Sequence, residues 1–116
     1  MNDCHDLIQG AESLLLHDPM SIAHRRGAAF IARQAIELAV RSALGGAEQS
    51  GMKWASRFLV LGVVRPDAAA ERGRVMWERW SEVCHYHHYD LVPSAAAVQE
   101  RLLETQRWID GLGLAS

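Results

Sequence analysis

The sequence predicts an all-α fold, an up-and-down bundle of four to five helices. Three observations lead there. Apolar residues recur at spacings of three and four over long stretches, the period of an amphipathic helix. Prolines occur only at positions 19, 66 and 93, each at a natural break between such stretches. One stretch alone, Phe-Leu-Val-Leu-Gly-Val-Val at 58–64, reads equally well as a strand, and no second stretch offers it a partner.

The elements follow in order. Asp3 caps a first helix to about His17, whose apolar face is Leu7, Ile8, Ala11, Leu14 and Leu15; Asp18-Pro19 ends it. A second helix runs from about Ser21 to Leu44 and stops at Gly45-Gly46. It is alanine-rich and apolar on more than one side. Ala28, Ala32, Ala35, Ile36, Ala39 and Val40 form a broad face, while Phe30, Ile31 and Leu38 project elsewhere. Such a helix belongs at the centre of a bundle. Residues 47–51 are a loop, and 52–64 a short buried helix. Asp67, after Pro66, is the expected N-cap of a long helix to about His88. Ser94 caps a last one, with Val98, Leu102, Trp108, Ile109 and Leu112 at helical spacing and Gly111 and Gly113 at its end.

A chain of 116 residues suits one domain, spanning 1–116, with one core. With 49% hydrophobic and 22% charged residues it reads as a soluble globular protein. The net charge of −2 excludes a global basic field for nonspecific nucleic-acid binding, though not a local basic patch. Lys53 is the only lysine among twelve basic residues. Arginine favours bidentate contacts to phosphate and carboxylate, although the base composition of a genome produces the same bias. Cys4 and Cys84 are too few for a disulfide framework, Asp3 and Asp6 are unlike a secretory leader, and no apolar run reaches the length of a membrane span. The expectation is a cytoplasmic protein with no membrane association.

Residues 79–89, Arg-Trp-Ser-Glu-Val-Cys-His-Tyr-His-His-Tyr, concentrate the candidate chemistry. Arginine can clamp a phosphodiester, and histidine can move a proton near neutral pH. On a helical wheel Met76, Trp80, Val83, Cys84 and His87 share the core side, with Trp77 at its border. Glu78, Arg79, Glu82 and His85 form the polar sector. His87 is therefore expected in the core and His85 at the surface. Arg79 and His85 stand about 120° apart, so one ideal helix does not aim both at one phosphate. A distortion of the helix near Cys84, or a two-fold dimer, would bring them together. The plain alternative is a solvated face with an Arg79–Glu82 pair. A polar stripe on the second helix, Arg26, Arg33, Glu37 and Arg41, reads either as a solvated face with an Arg33–Glu37 pair or as the lining of a groove. Cys84 and His88 have the i, i+4 spacing of a helical zinc chelate. No second pair completes a tetrahedral set beyond Cys4 and His5, so no metal or cofactor is expected.

Two segments, the Ala-rich GAAFIARQAIELAVRSAL at 27–44 and the R-x(4–6)-H pattern of residues 79–85, make the chain resemble the HEPN superfamily. The HYHHYDLVPSAAAVQERL that follows is similar to a branch of small bacterial HEPN-like proteins. The resemblance covers roughly residues 3–110. It implies a helical bundle that forms a homodimer, in which the Arg and His of two protomers meet in a groove and cleave RNA without metal. Carried over, Arg79 stabilises the phosphorane and His85 serves as general base or acid, with Arg26, Arg33, Glu37 and Glu82 as binding candidates around them. The implied role is a toxin-like or defence-related endoribonuclease; the alternative is a noncatalytic module binding a nucleotide, RNA or a cognate protein partner. Active members place a polar residue after the Arg, where this chain has Trp80, and Glu82 inside the motif repels phosphate. The partner-binding alternative calls for an exposed apolar patch near Trp54 or Trp108.

Overall fold

The computed structural model describes residues 3–85 and 92–114. They form five α-helices and no strand: α1 (Asp3–His17), α2 (Ile22–Leu44), α3 (Trp54–Val64), α4 (Ala69–His85) and α5 (Ala95–Gly111), with one 3-10 turn at Gly45–Ala47. The 58–64 stretch is helical, as its lack of a pairing partner requires. The expected end of the fourth helix at His88, and the core placement of His87, lie outside the described residues.

The caps explain most boundaries. Ser21 precedes α2, and its hydroxyl accepts from the His24 N–H at 3.2 Å. Gly45 closes α2 in a left-handed conformation (φ 53°), its N–H donating to the Arg41 carbonyl. Ser94 caps α5 by accepting from the Ala97 N–H at 3.1 Å. Asp67 acts as expected at the start of α4, accepting from the Ala69 N–H at 2.9 Å.

α2 is the central element. It touches all four other helices and buries Ala28, Ala29, Ala32, Ala35, Ile36, Ala39 and Val40. Small side chains let neighbours approach its backbone from several sides, so its broad apolar surface is covered within the chain. Phe30 is the exception and faces solvent, with the Arg33 guanidinium 5.4 Å from its ring centroid. α4 lays Met76, Trp80 and Val83 into the core, as its wheel requires. Trp80 is 1% exposed and donates its indole N–H to Thr105 Oγ1 of α5 at 3.1 Å; Thr105 in turn donates to the Arg101 carbonyl.

α3 departs from expectation. It is not a buried helix: only Arg57, Phe58 and Leu61 are buried, while Leu59 is 74% and Val63 82% exposed. One stripe of this 11-residue helix packs on α2 and α4, and the opposite stripe is left uncovered by the described residues. The exposed apolar surface therefore lies mainly on α3, at Leu59, Val63 and Val64, and not on the broad alanine face of α2. Because these side chains fill no core, the double variant Leu59→Ser/Val63→Ser should keep its stability within about 0.5 kcal/mol per site. A thermal melt checks this, and a loss of several degrees would mean that α3 is covered in solution.

Arg57 was not anticipated as a core residue. Its guanidinium is buried, donates to both Glu48 carboxylate oxygens and to the Met52 carbonyl, and stacks 4.5 Å from the Trp54 ring centroid. That hydrogen bonding holds the Glu48 carboxyl below its ordinary range. Trp54, Phe58 and Trp77 form an aromatic cluster beside it, and the Arg41 guanidinium lies 5.3 Å from the Trp54 ring centroid.

Candidate nucleotide-binding surface between α2 and α4

α2 and α4 run antiparallel. Glu37, near the C-terminal end of α2, accepts from the Trp77 indole N–H at 3.1 Å. Arg26, one turn into α2, and Arg33, at its middle, both exert their charge on Cys84 in the last turn of α4. The spacing explains the alignment: 26, 33 and 37 on α2 and 77 and 84 on α4 each recur at close to whole helical turns.

The polar stripe of α2 is thus neither fully solvated nor paired within itself. The Arg33–Glu37 ion pair does not form, because Glu37 turns to the Trp77 indole and Arg33 to the Phe30 ring. Arg41 reaches Glu48 at 3.7 Å. Arg26 and Arg33 are half-buried, and three of their donor atoms are shielded from water with no acceptor among the described residues: Nε and Nη2 of Arg26, and Nε of Arg33. Arg25 Nε is in the same condition, although its Nη1 donates to the Pro19 carbonyl. Burial pushes the Cys84 thiol up, while the charges of Arg33 and Arg26 pull it down, so both cations act on the same end of α4. Buried donors without acceptors are rare and unfavourable, and two guanidiniums together form a site for an anion.

His85 is the last residue of α4 and is exposed, next in sequence to Cys84. Arg79 is exposed too, but on another side. It lines a groove of about 520 Å³ between α4 and α5 that His85 does not line. Among the described residues, the groove that holds Arg79 is thus not lined by His85. Glu82 is exposed on α4. Among the described residues no three of His, Cys, Asp and Glu converge as a metal would require, and His88 of the Cys84–His88 pair lies outside them. No helix among the described residues is long and apolar enough to cross a membrane.

Two arginines escaped the sequence reading. Arg72 and Arg107 line the same groove as Arg79. The signal for Arg72 was available, since positions 72 and 79 are seven apart and share a helix face. Arg107 could be placed only once α5 was known to lie along α4. Comparison with protein-family models, curated proteins and solved structures finds no match for the chain.

Proposed function

We propose that this chain is a HEPN-like module that binds a phosphate of RNA or of a nucleotide at the α2–α4 seam. One observation supports this reading: Arg26 and Arg33 carry water-shielded donors with no acceptor among the described residues, and the charges of both reach Cys84 on α4. A phosphate oxygen accepts from guanidinium in bidentate geometry, and such charge-assisted bonds are about twice as strong as neutral ones. The overall charge of −2 fits a local site better than a nonspecific nucleic-acid surface.

Fluorescence anisotropy with a short single-stranded RNA, with ATP as competitor, tests it. Binding should weaken as salt rises, and Arg26→Ala/Arg33→Ala should lose about tenfold or more in affinity. Wild-type affinity in that double variant, with its fold intact, would refute the assignment.

A second reading, metal-independent RNA cleavage by a homodimer, is favoured by the exposure of both Arg79 and His85 on α4, where a two-fold partner can approach. On this reading the 2′-hydroxyl attacks the adjacent phosphate, His85 transfers the proton and Arg79 of the other protomer steadies the phosphorane. Cleavage should persist in EDTA and leave 2′,3′-cyclic phosphate ends. Arg79→Ala and His85→Ala should each lose about 10²-fold or more. A mixture of the two variants should recover activity, because each mixed dimer rebuilds one intact site. Binding without cleavage leaves the phosphate-binding module alone standing.

A further inference from the structure

α4 carries a second arginine face, on the side turned to α5, which the phosphate site at the α2–α4 seam does not use. α5 packs more closely on α1 and α2 than on α4, and the space left between α4 and α5 is the groove of about 520 Å³. That is the size of a small-molecule site. Arg72 and Arg79 stand on its α4 wall, about 10 Å apart along the helix axis at 1.5 Å per residue, and Arg107 faces them from α5. No hydrogen bond or ion pair to any described residue engages these three guanidiniums.

The acids of the groove do not balance them. Glu71 is taken by Arg74, which bridges it to Glu78 on the outer face of α4. Glu104 is the remaining carboxylate. The apolar part of the lining is Val75, Met76 and Trp108. Trp108 is buried, and its N–H is spent on the Ala69 carbonyl at 2.8 Å. This part of the lining thus offers grease and no exposed aromatic face, so it is poorly suited to stacking successive bases. Cations on both walls with a short apolar lining match a different ligand.

We propose that the α4–α5 groove binds a small amphipathic anion, a carboxylate or phosphate monoester on an apolar body of about one ring. The head group is held between Arg107 of α5 and Arg79 of α4, in the forked geometry that guanidinium offers to both kinds of oxyanion. The body lies on Val75, Met76 and Trp108. The site is independent of Arg26 and Arg33.

The test uses the intact chain and two probes, phenyl phosphate and 4-phenylbutyrate, titrated while the Val75 and Met76 methyl and Trp108 indole N–H resonances are followed by NMR. At least one probe should shift these resonances saturably, with a Kd in the millimolar range or tighter. Saturation by one alone identifies the head group as phosphate or carboxylate. Benzyl alcohol and inorganic phosphate, which each lack one half of the chemistry, should bind at least about tenfold more weakly. Arg107→Ala and Arg79→Ala should each weaken the better probe by about fivefold or more, and Arg26→Ala/Arg33→Ala should leave it unchanged. The proposal is overturned if neither probe approaches saturation by about 100 mM, well beyond that affinity range. It is equally overturned if the groove variants bind like the wild type, or if a short single-stranded RNA moves these resonances while both acids fail to.

Discussion

Trp80→Ala should lower the stability of this chain by about 3–5 kcal/mol, the range for emptying a fully buried aromatic site. Trp80 is 1% exposed and is the largest side chain enclosed in the core; its indole N–H links α4 to α5 through Thr105. Against a total of about 5–15 kcal/mol for an ordinary domain, that loss removes from about a fifth to all of the stability. Urea unfolding followed by circular dichroism measures it, and a change below about 1 kcal/mol would mean that Trp80 is not the packed residue described. Thr105→Val isolates the polar part. It leaves the indole N–H without an acceptor at constant volume and should cost about 1–3 kcal/mol. The result bears on function. Active members of the superfamily that the chain resembles place a polar residue directly after the motif arginine. Trp80→Asn would restore that pattern and remove the core's main filler, so it should unfold the protein before it could activate it.

Gly73→Ala should also destabilise, although alanine is the better helix former by about 1 kcal/mol. A Cβ at position 73 would lie 2.9 Å from Cε2 and Cη2 of the Trp108 indole and nearer still to Cζ2. The indole cannot easily retreat, since it is buried and anchored to the Ala69 carbonyl. Overpacking of this kind costs about 1–3 kcal/mol, and α4 and α5 should be pushed apart along the groove that Trp108 lines. For a domain of this size the melting temperature should fall by several degrees. A melting temperature equal to or above that of the wild type would show that helix propensity outweighs the contact. In that case the groove should be wider than about 520 Å³ in solution.

The chain's local chemistry made most of the fold legible. Asp67, Ser21 and Ser94 cap helices because their side-chain oxygens reach backbone N–H groups two or three residues on, a purely local event. Gly45 ends α2 because a left-handed backbone suits glycine. The core face of α4 followed from its period, since Met76, Trp80 and Val83 return to one side every three or four residues. The polar stripe of α2 was visible too, and its role as the lining of a seam was one of two readings that the pattern left open.

What lies between helices was not legible, because no spacing within a helix reports its neighbour. Arg33 and Glu37 satisfy the i, i+4 rule, yet they do not pair; the indole of Trp77, forty residues from Glu37, supplies the better partner. α3 is apolar enough to be read as buried, and whether Leu59 and Val63 meet a neighbour depends only on how far the other helices extend over it. Arg57 looks like a surface residue until Glu48, the Met52 carbonyl and Trp54 close around it. Arg79 and His85, six positions apart, fall on different sides of α4 because a helix turns 100° per residue, and packing then gives Arg79 to the groove with α5 and leaves His85 exposed at the end of the helix. The sequence by itself determined the helices, their caps and the side of each that turns inward, since these depend on residues a few positions apart. Tertiary structure alone decided which cations share a site and which apolar face stays uncovered, since those depend on the approach of segments tens of residues apart.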